Sequence, residues 1–320
     1  MTNYHGYTMD FEWDRRYFMP FLQAYCFSVG WIPIVLSLVL IYLLFKHTPM
    51  YSKEFRYSIA FYHAVQIFFD IHHSYLFIPY PLFPMPIFVC HGFLCRLGAP
   101  TRLLMTFTGT ISSVASVGLS VVAFIRLRNI LPYESRFRLS VRQSVLLMSI
   151  AGLLFTSNAL GFALFAGDDP RKSQILERSE FAFLREKPDS LVWGDFFDTP
   201  EFDNEIYLLT VVLSGGGNFF SGIIVYTFFA LRREKNKLLQ MTSIRRSKDQ
   251  GNRMLLIKLL GVIITFVLPL ALMISAVKIG CLSYDPYIIS VSRAIGMFLF
   301  VNHSMVTILL HLLMNRGYQR

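Results

Sequence analysis

Charge is scarce in this sequence, and that scarcity excludes most soluble classes of protein. Only 16% of the 320 residues are charged, whereas 54% are hydrophobic and the mean hydropathy is +0.49. Soluble domains carry about 25% charged residues. Because the apolar residues lie in long runs instead of alternating at short period, they predict a protein that is embedded in lipid.

Motifs of catalysis and of metal binding are also missing. The four cysteines, Cys26, Cys90, Cys95 and Cys281, form no CxxC pair and have no histidine at zinc-ligand spacing. Neither GKS nor GKT follows the glycines at 215–217, and HExxH and GxSxG do not occur. The sequence therefore predicts no enzyme, no metal site and no cofactor.

Seven apolar runs are present. A span of a ~30 Å hydrocarbon core takes about 20 apolar residues. On that length we place helices near Met19–Phe45, Tyr57–Pro79, Leu97–Ile125, Gln143–Ala166, Ile206–Leu231, Leu255–Ile279 and Ile288–Met314. The predicted fold class is an all-α membrane protein, a seven-transmembrane helix bundle that forms one domain over residues 1–320. No internal repeat is visible, which argues against transporters built by duplication.

The basic residues predict the orientation of this bundle. Of the 30 Lys and Arg residues, 19 lie in the loops after the first, third and fifth helices and at the C-terminus. An excess of basic residues marks the cytoplasmic side. The opposite side carries the N-terminus and the acidic loop 167–205, which is either a functional lid or a solvated loop. We therefore expect an extracellular N-terminus and a cytoplasmic C-terminus; the net charge of +10 reflects topology and predicts no nucleic-acid partner.

Ionisable groups at membrane depth are costly and mark function or inward-facing pairs. Asp70 is the only acidic residue within a predicted span, and Arg293, Asn302 and His303 lie in the seventh helix. We predict a polar connection between the second and seventh helices that acts as a structural pair or a conformational switch, with direct ligand contact as the alternative. Pro269 adds a predicted kink in the sixth helix.

Small residues cluster in the third helix and at the glycines of the fifth. Thr106, Gly109, Ser113 and Ser120 recur at spacings that place several of them on one helical face. Small side chains let membrane helices approach closely. We interpret the small face of the third helix as a site of tight helix packing, and the glycines at 215–217 as a flexible or closely packed point in the fifth helix.

Three segments carry a resemblance to a known family. They are the proline-rich stretch 79–86 followed by Cys90-His91-Gly92, the Thr-Pro segment 48–55 of the first cytoplasmic loop, and the C-terminal run 303–320. In these features the chain resembles the nematode serpentine chemoreceptors of the Str superfamily, most closely class H or class I. The resemblance implies a G-protein-coupled chemosensory receptor in the plasma membrane of a sensory cilium, with a small external ligand and a heterotrimeric G protein as partners.

The resemblance also suggests where ligand and G protein bind. In a rhodopsin-like arrangement Arg102 and Arg293 face one cavity near the outer ends of their helices, and the other predicted ligand residues are His73, Tyr75 and Tyr287. Such a cavity would suit a small amphiphile with an acidic group, because an arginine binds a carboxylate with two parallel donors. The alternative is that Arg102 snorkels to the headgroups and Arg293 pairs with Asp70.

On the cytoplasmic side, the predicted G-protein contacts are Arg126 and Arg128 after the third helix and Arg232 and Arg233 in loop 232–254. Attraction of that basic loop to anionic lipid is the alternative. A transporter or a ligand-gated channel is the competing function, and it would need polar residues along a whole pore.

One disulfide is expected at the oxidising outer face. Loop 167–205 has no cysteine, and Cys26 lies within the first helix. The sequence therefore predicts a bridge of Cys281 with Cys90 or Cys95.

The topology yields a direct test. An epitope tag at the N-terminus should be accessible to antibody on intact cells, and a tag at the C-terminus only after permeabilisation, because the basic loops stay inside. The reverse labelling would contradict the receptor orientation.

Overall fold

A computed structural model gives the structure of the chain. It describes residues 11–47, 53–82, 87–131, 135, 138–165, 168, 170–177, 179–185, 190–192 and 286–314, together with scattered helical positions between 207 and 268. Within these residues the structure is mostly helical, as predicted.

The first helix begins earlier than the apolar run predicts. A π-helical turn, Asp14–Phe18, leads into α1 (Met19–Val29), and α2 (Trp31–His47) follows after Gly30. Pro20 explains the wide turn. It has no N–H to donate to the carbonyl of Arg16, four residues earlier, and its ring crowds that carbonyl. The turn lets the N–H of Met19 donate to the carbonyl of Asp14 and keeps Asp14 within the helix.

The second helix, α3 (Lys53–Ile71), ends in a second π-helical turn, His72–Leu76. The predicted boundary at Pro79 is therefore three residues too late. Ile78 precedes Pro79, and helical backbone is disfavoured for a residue before a proline. Ile78 instead takes a φ of 45°. This left-handed backbone turns the chain out of the helix at Ile78.

The described start of the proline-rich segment forms an edge strand of a small sheet. Strand β1 (Pro79–Pro81) pairs antiparallel with β2 (Ile87–Cys90), and β2 pairs with β3 (Leu191–Val192), in the order β1-β2-β3. Prolines suit β1 because it is an edge strand and need not donate on both sides. We call the end of the bundle that carries this sheet the hairpin end.

The disulfide joins cysteines other than the predicted pair. Cys90 at the end of β2 bonds Cys95 in α4 (Phe93–Arg96), with their Cα atoms 5.8 Å apart. The turn between them folds tightly over the end of the second helix, where the Gly92 N–H donates to the Phe77 carbonyl at 2.8 Å. The predicted bridge of Cys90 or Cys95 with Cys281 is therefore wrong, and Cys281 itself lies outside the described residues.

The next two helices are α5 (Thr101–Ile130) and α6 (Val141–Phe165), and they pack against each other. The Ser113 hydroxyl donates to the Phe155 carbonyl of α6 at 2.6 Å, a backbone approach that needs a small residue. A Cβ on Gly216 would lie 2.8 Å from the Phe155 ring, and one on Gly215 would lie 3.0 Å from the Leu154 side chain, so these two glycines also pack closely against α6. Both small-residue predictions are confirmed at these positions.

The described part of loop 167–205 lies over the hairpin end. It contains α7 (Lys172–Leu176), a 3-10 turn at Ser179–Leu184 and strand β3. Its buried apolar side chains share one core with the start of the first helix and with the sheet; this core includes Phe11, Phe18, Tyr80, Leu82, Ile87, Ile175, Phe181 and Leu184. The loop is therefore a packed cap.

The last described helix, α8 (Pro286–Met314), matches the predicted seventh helix. The predicted fifth and sixth helices, Ile206–Leu231 and Leu255–Ile279, fall mostly outside the described residues. Four helical runs among the described residues are long and apolar enough to cross a membrane: Asp14–Lys46, Thr101–Ile125, Arg142–Gly161 and Ser290–Leu310.

Lipid is the natural solvent of these helices. On α6, Leu146, Leu153, Leu160 and Leu164 are between 58% and 74% exposed, and their spacings of seven, seven and four residues place them on one face. An apolar stripe of this kind on a soluble protein would mark an interaction site. On a membrane-spanning helix it faces the bilayer.

The contact between the first and second helices at Gly30 supplies a test of the packing. A Cβ on Gly30 would lie 2.5 Å from the Ser74 Cβ, whereas a Cβ on Gly152 in α6 would meet nothing within 4 Å. Gly30→Ala should therefore lower the thermal unfolding midpoint of the purified protein, with a cost of about 1–3 kcal/mol from overpacking. Gly152→Ala is the matched control and should be neutral or slightly stabilising; equal effects of the two variants would refute the close approach at Gly30.

Candidate functional site

A buried ion pair joins the first helix to the seventh at the hairpin end. The Arg293 Nη2 lies 2.5 Å from the Asp14 Oδ2, and the side chains are 1% and 0% exposed. Ser290, one turn before Arg293, donates its hydroxyl to the same Asp14 oxygen at 2.8 Å and accepts from Arg293 at 2.8 Å. Tyr80 of β1 donates its hydroxyl to the other carboxylate oxygen. We call these four residues the Asp14 network.

The surroundings of the Asp14 network exclude water. The Arg293 Cζ lies over the Phe11 ring, 5.4 Å from the ring centroid. The centroids of the Phe11 ring and of the Phe181 ring of the cap are 5.9 Å apart. Burial raises the pKa of Tyr80, so its hydroxyl keeps its proton and remains a donor to Asp14. A buried charge without a partner costs several kcal/mol. Each member of the ion pair therefore requires the other.

A second contact joins the same two helices farther along. The Tyr25 hydroxyl of α1 donates to the Asn302 Oδ1 of α8 at 2.6 Å. The Tyr25 ring also lies against Phe298, with ring centroids 5.1 Å apart. Arg293 and Asn302 are nine residues apart in α8, which corresponds to about 13 Å along the helix at 1.5 Å per residue. The first and seventh helices are thus joined at two depths.

A third contact joins the seventh helix to the second. Gln66 of α3 accepts through its Oε1 from Ser304 at 2.9 Å and lies 3.0 Å from the His303 Nε2. The predicted polar connection between these two helices is confirmed. On the second helix, however, Gln66 and not the predicted Asp70 makes the hydrogen bonds to His303 and Ser304. Asp70 lies one turn farther on, is 4% exposed, and is also near Ser304.

Next to this contact lies a group of buried polar atoms that lack hydrogen-bond partners. Among the described residues, the Asp70 Oδ2, the His72 Nδ1 and the His73 Nε2 have none. His73 stacks on Phe69 at 4.0 Å and lies 5.4 Å from Phe300 of the seventh helix. Unpartnered buried polar atoms are costly. A different arrangement of the second and seventh helices that supplied partners would lower this cost.

The predicted ligand residues lie in different surroundings. Arg102 is exposed at the start of α5 and donates to the Ala163 carbonyl of α6. Tyr75 is half-buried, with its ring edge-on to Phe27 at 5.8 Å. Tyr287 lies in the first turn of α8, but its side chain is outside the described residues. The alternative partner that the sequence suggested for Arg293 is wrong, because Asp14 and not Asp70 forms its ion pair.

The remaining predicted residues belong to the opposite end of the bundle or to undescribed parts. Arg128, Arg232 and Arg233 are exposed helical residues. Arg126 lies within α5, but its side chain is outside the described residues, as is all of Pro269. Their roles in G-protein contact and in switching stay predictions.

Sequence reasoning missed four residues that the structure places at the centre of the site. Asp14 and Ser290 contact Arg293, Gln66 contacts His303, and Tyr80 contacts Asp14. The signal for Asp14 was its position five residues before the predicted start of the first helix at Met19, with Arg15 and Arg16 between it and the apolar run.

These features define a membrane-embedded helical bundle whose seventh helix is joined by polar contacts to the first and second. The chain belongs to the family described as serpentine type 7TM GPCR chemoreceptor Srh, which matches residues 19–320. The predicted resemblance to nematode serpentine receptors is therefore confirmed. No curated protein matches the chain.

The two links between the first and seventh helices should differ in strength. Asp14→Asn leaves the Arg293 charge buried without a counter-charge, so it should cost about 3–5 kcal/mol of unfolding free energy. Tyr25→Phe removes one neutral donor and should cost about 0.5–1.5 kcal/mol. Denaturant unfolding in mixed micelles measures both, and a cost for Tyr25→Phe equal to or above that for Asp14→Asn would contradict this ranking.

Proposed function

We propose that this chain is a G-protein-coupled chemosensory receptor that binds a small external ligand and signals to a cytoplasmic heterotrimeric G protein. Membership of the serpentine chemoreceptor family over residues 19–320 is the observation that carries this proposal. A receptor of this kind exists in at least two arrangements, and a ligand shifts their populations by binding one of them better.

In this proposal the hairpin end faces outward and the basic end faces the cytoplasm of the plasma membrane. The positive-inside distribution of Lys and Arg supports this orientation. So does the disulfide at the hairpin end, because a bridge such as Cys90–Cys95 persists in an oxidising compartment. The ligand enters near the outer ends of the helices, where we place Arg102, His73, Tyr75, Tyr287 and Arg293 as ligand contacts.

The seventh helix is the element through which ligand binding reaches the cytoplasmic side. Asn302 and His303 contact the first and second helices, and Asp70 lies beside them with an oxygen that has no partner among the described residues. Repacking of these contacts would shift α8 relative to its neighbours, in the manner of helix shifts at bistable interfaces. We propose these residues, together with Pro269 of the predicted sixth helix, as the conformational switch.

Signalling then requires a cytoplasmic contact. Arg126, Arg128, Arg232 and Arg233 lie at the end of the bundle opposite the hairpin, and of these Arg128, Arg232 and Arg233 are exposed. They offer a basic surface to the G protein. The competing role is attraction to anionic lipid, which contributes about 1 kcal/mol per basic residue near the membrane surface.

A cell assay with a calcium or cyclic-nucleotide readout tests this function. A screen of small organic acids and their neutral analogues should identify an agonist whose response requires a G protein. A ligand-evoked current that persists without G protein would instead support the channel alternative.

With that agonist, the double variant Arg232→Gln, Arg233→Gln should reduce G-protein recruitment several-fold at equal surface level, because an interface loses two charges. Lys46→Gln is the matched control, since Lys46 is exposed near the end of α2, on the side we propose to be cytoplasmic. If lipid attraction were the whole effect, the control would also lower signalling measurably, and agonist binding would stay unchanged in all three proteins.

A further inference from the structure

We propose that Arg293 is the anion-binding position of the ligand site and that Asp14 is its resident carboxylate, which the carboxylate of a small organic acid displaces. This inference rests on the proposed receptor function. It names the chemical class of the ligand and the residue with which that ligand competes.

The first step of the argument is that the position is built to hold a carboxylate. Three donors from two elements converge on the Asp14 carboxylate: Tyr80 from β1, and Ser290 and Arg293 from successive turns of α8. A carboxylate accepts through both oxygens, and charge-assisted bonds of this kind are the strong ones. Any carboxylate brought to the same place would meet the same donors.

The second step is that the resident carboxylate comes from the start of the chain and not from the bundle interior. Asp14 lies in the π-helical turn before α1, only a few residues after the first described residue. Phe11, three residues earlier, packs between the Arg293 guanidinium and the Phe181 ring of the cap. This helical turn is therefore the element that would have to shift for Asp14 to separate from Arg293.

The third step is that exchange of one carboxylate for another preserves charge balance. Removal of Asp14 alone would leave the Arg293 charge uncompensated in a dry site, which is strongly unfavourable. A ligand carboxylate keeps Arg293 paired, so the exchange costs little free energy. A neutral or cationic ligand could not make this exchange, because it supplies no counter-charge.

The consequence of the exchange follows from the other contacts of α8. When Asp14 holds Arg293, the first and seventh helices are tied at the hairpin end, and Tyr25–Asn302 ties them farther along. When a ligand holds Arg293, the first of these ties is gone. Binding of an acid is therefore coupled directly to the freedom of the seventh helix.

Chemical rescue tests this proposal on the full-length receptor in nanodiscs. Asp14→Ala removes the resident carboxylate and leaves a space of about its size. Acetate is the probe and acetamide its neutral analogue of equal shape. Acetate should raise the thermal unfolding midpoint of Asp14→Ala at concentrations at least about tenfold lower than it does for the wild-type receptor, a factor that corresponds to ~1.4 kcal/mol. Acetamide should have no such effect.

The double variant Asp14→Ala, Arg293→Gln is the decisive control. It removes both charges, so it leaves no uncompensated ion and should fold even if the single variant is recovered only when it is prepared in acetate. Its unfolding midpoint should be insensitive to acetate. An acetate effect equal to that of acetamide in Asp14→Ala, or one that persists in the double variant, would overturn the proposal. This readout involves no G protein, so a failure of signalling and a failure of anion binding are distinguished.

Discussion

A charge buried among membrane helices must be paired, and the fold of this receptor depends on how that requirement is met. Arg293 lies one turn inside the run of α8 that is long and apolar enough to cross a membrane, and Asp14 supplies its counter-charge from the start of the first helix. Because the cost of an unpaired charge in such a place is several kcal/mol, the pair fixes which side of α8 faces α1. Strand β1 is joined to the same carboxylate through Tyr80, and the cap shares the buried apolar core of this end of the bundle.

The contacts of α8 divide into a charged end and a neutral interior. At the hairpin end the ion pair is strong and fully enclosed, whereas Tyr25–Asn302 and Gln66–Ser304 are neutral hydrogen bonds. Neutral bonds between membrane helices contribute on average about 0.6 kcal/mol each. A change at the charged end therefore outweighs the interior contacts, so the state of Arg293 would decide whether α8 stays in its present arrangement.

Much of the bundle could be predicted from the sequence because lipid imposes a length on every span. The starts of α1 and α8 agree with the apolar runs to within a few residues, and the polar connection between the second and seventh helices followed from the cost of burying Asp70 and His303. What could not be predicted is pairing at long range. Asp14 and Arg293 are 279 residues apart, and no periodicity tells which cation a carboxylate selects. The bridge between Cys90 and Cys95 likewise depends on a turn at Gly92 that closes only against the end of the second helix.

Exchange of the two charges is the most direct test of this account. Asp14→Arg places two guanidinium groups in one buried site, and Arg293→Asp places two carboxylates there, so each single variant should lose most of its surface expression and should unfold at a much lower temperature. The double variant Asp14→Arg, Arg293→Asp restores an ion pair across the same two helices. The account predicts that it regains a large part of both quantities, measured side by side in the same cells and nanodiscs. A double variant as defective as the two single variants combined would show that Asp14 and Arg293 do not hold the first and seventh helices together.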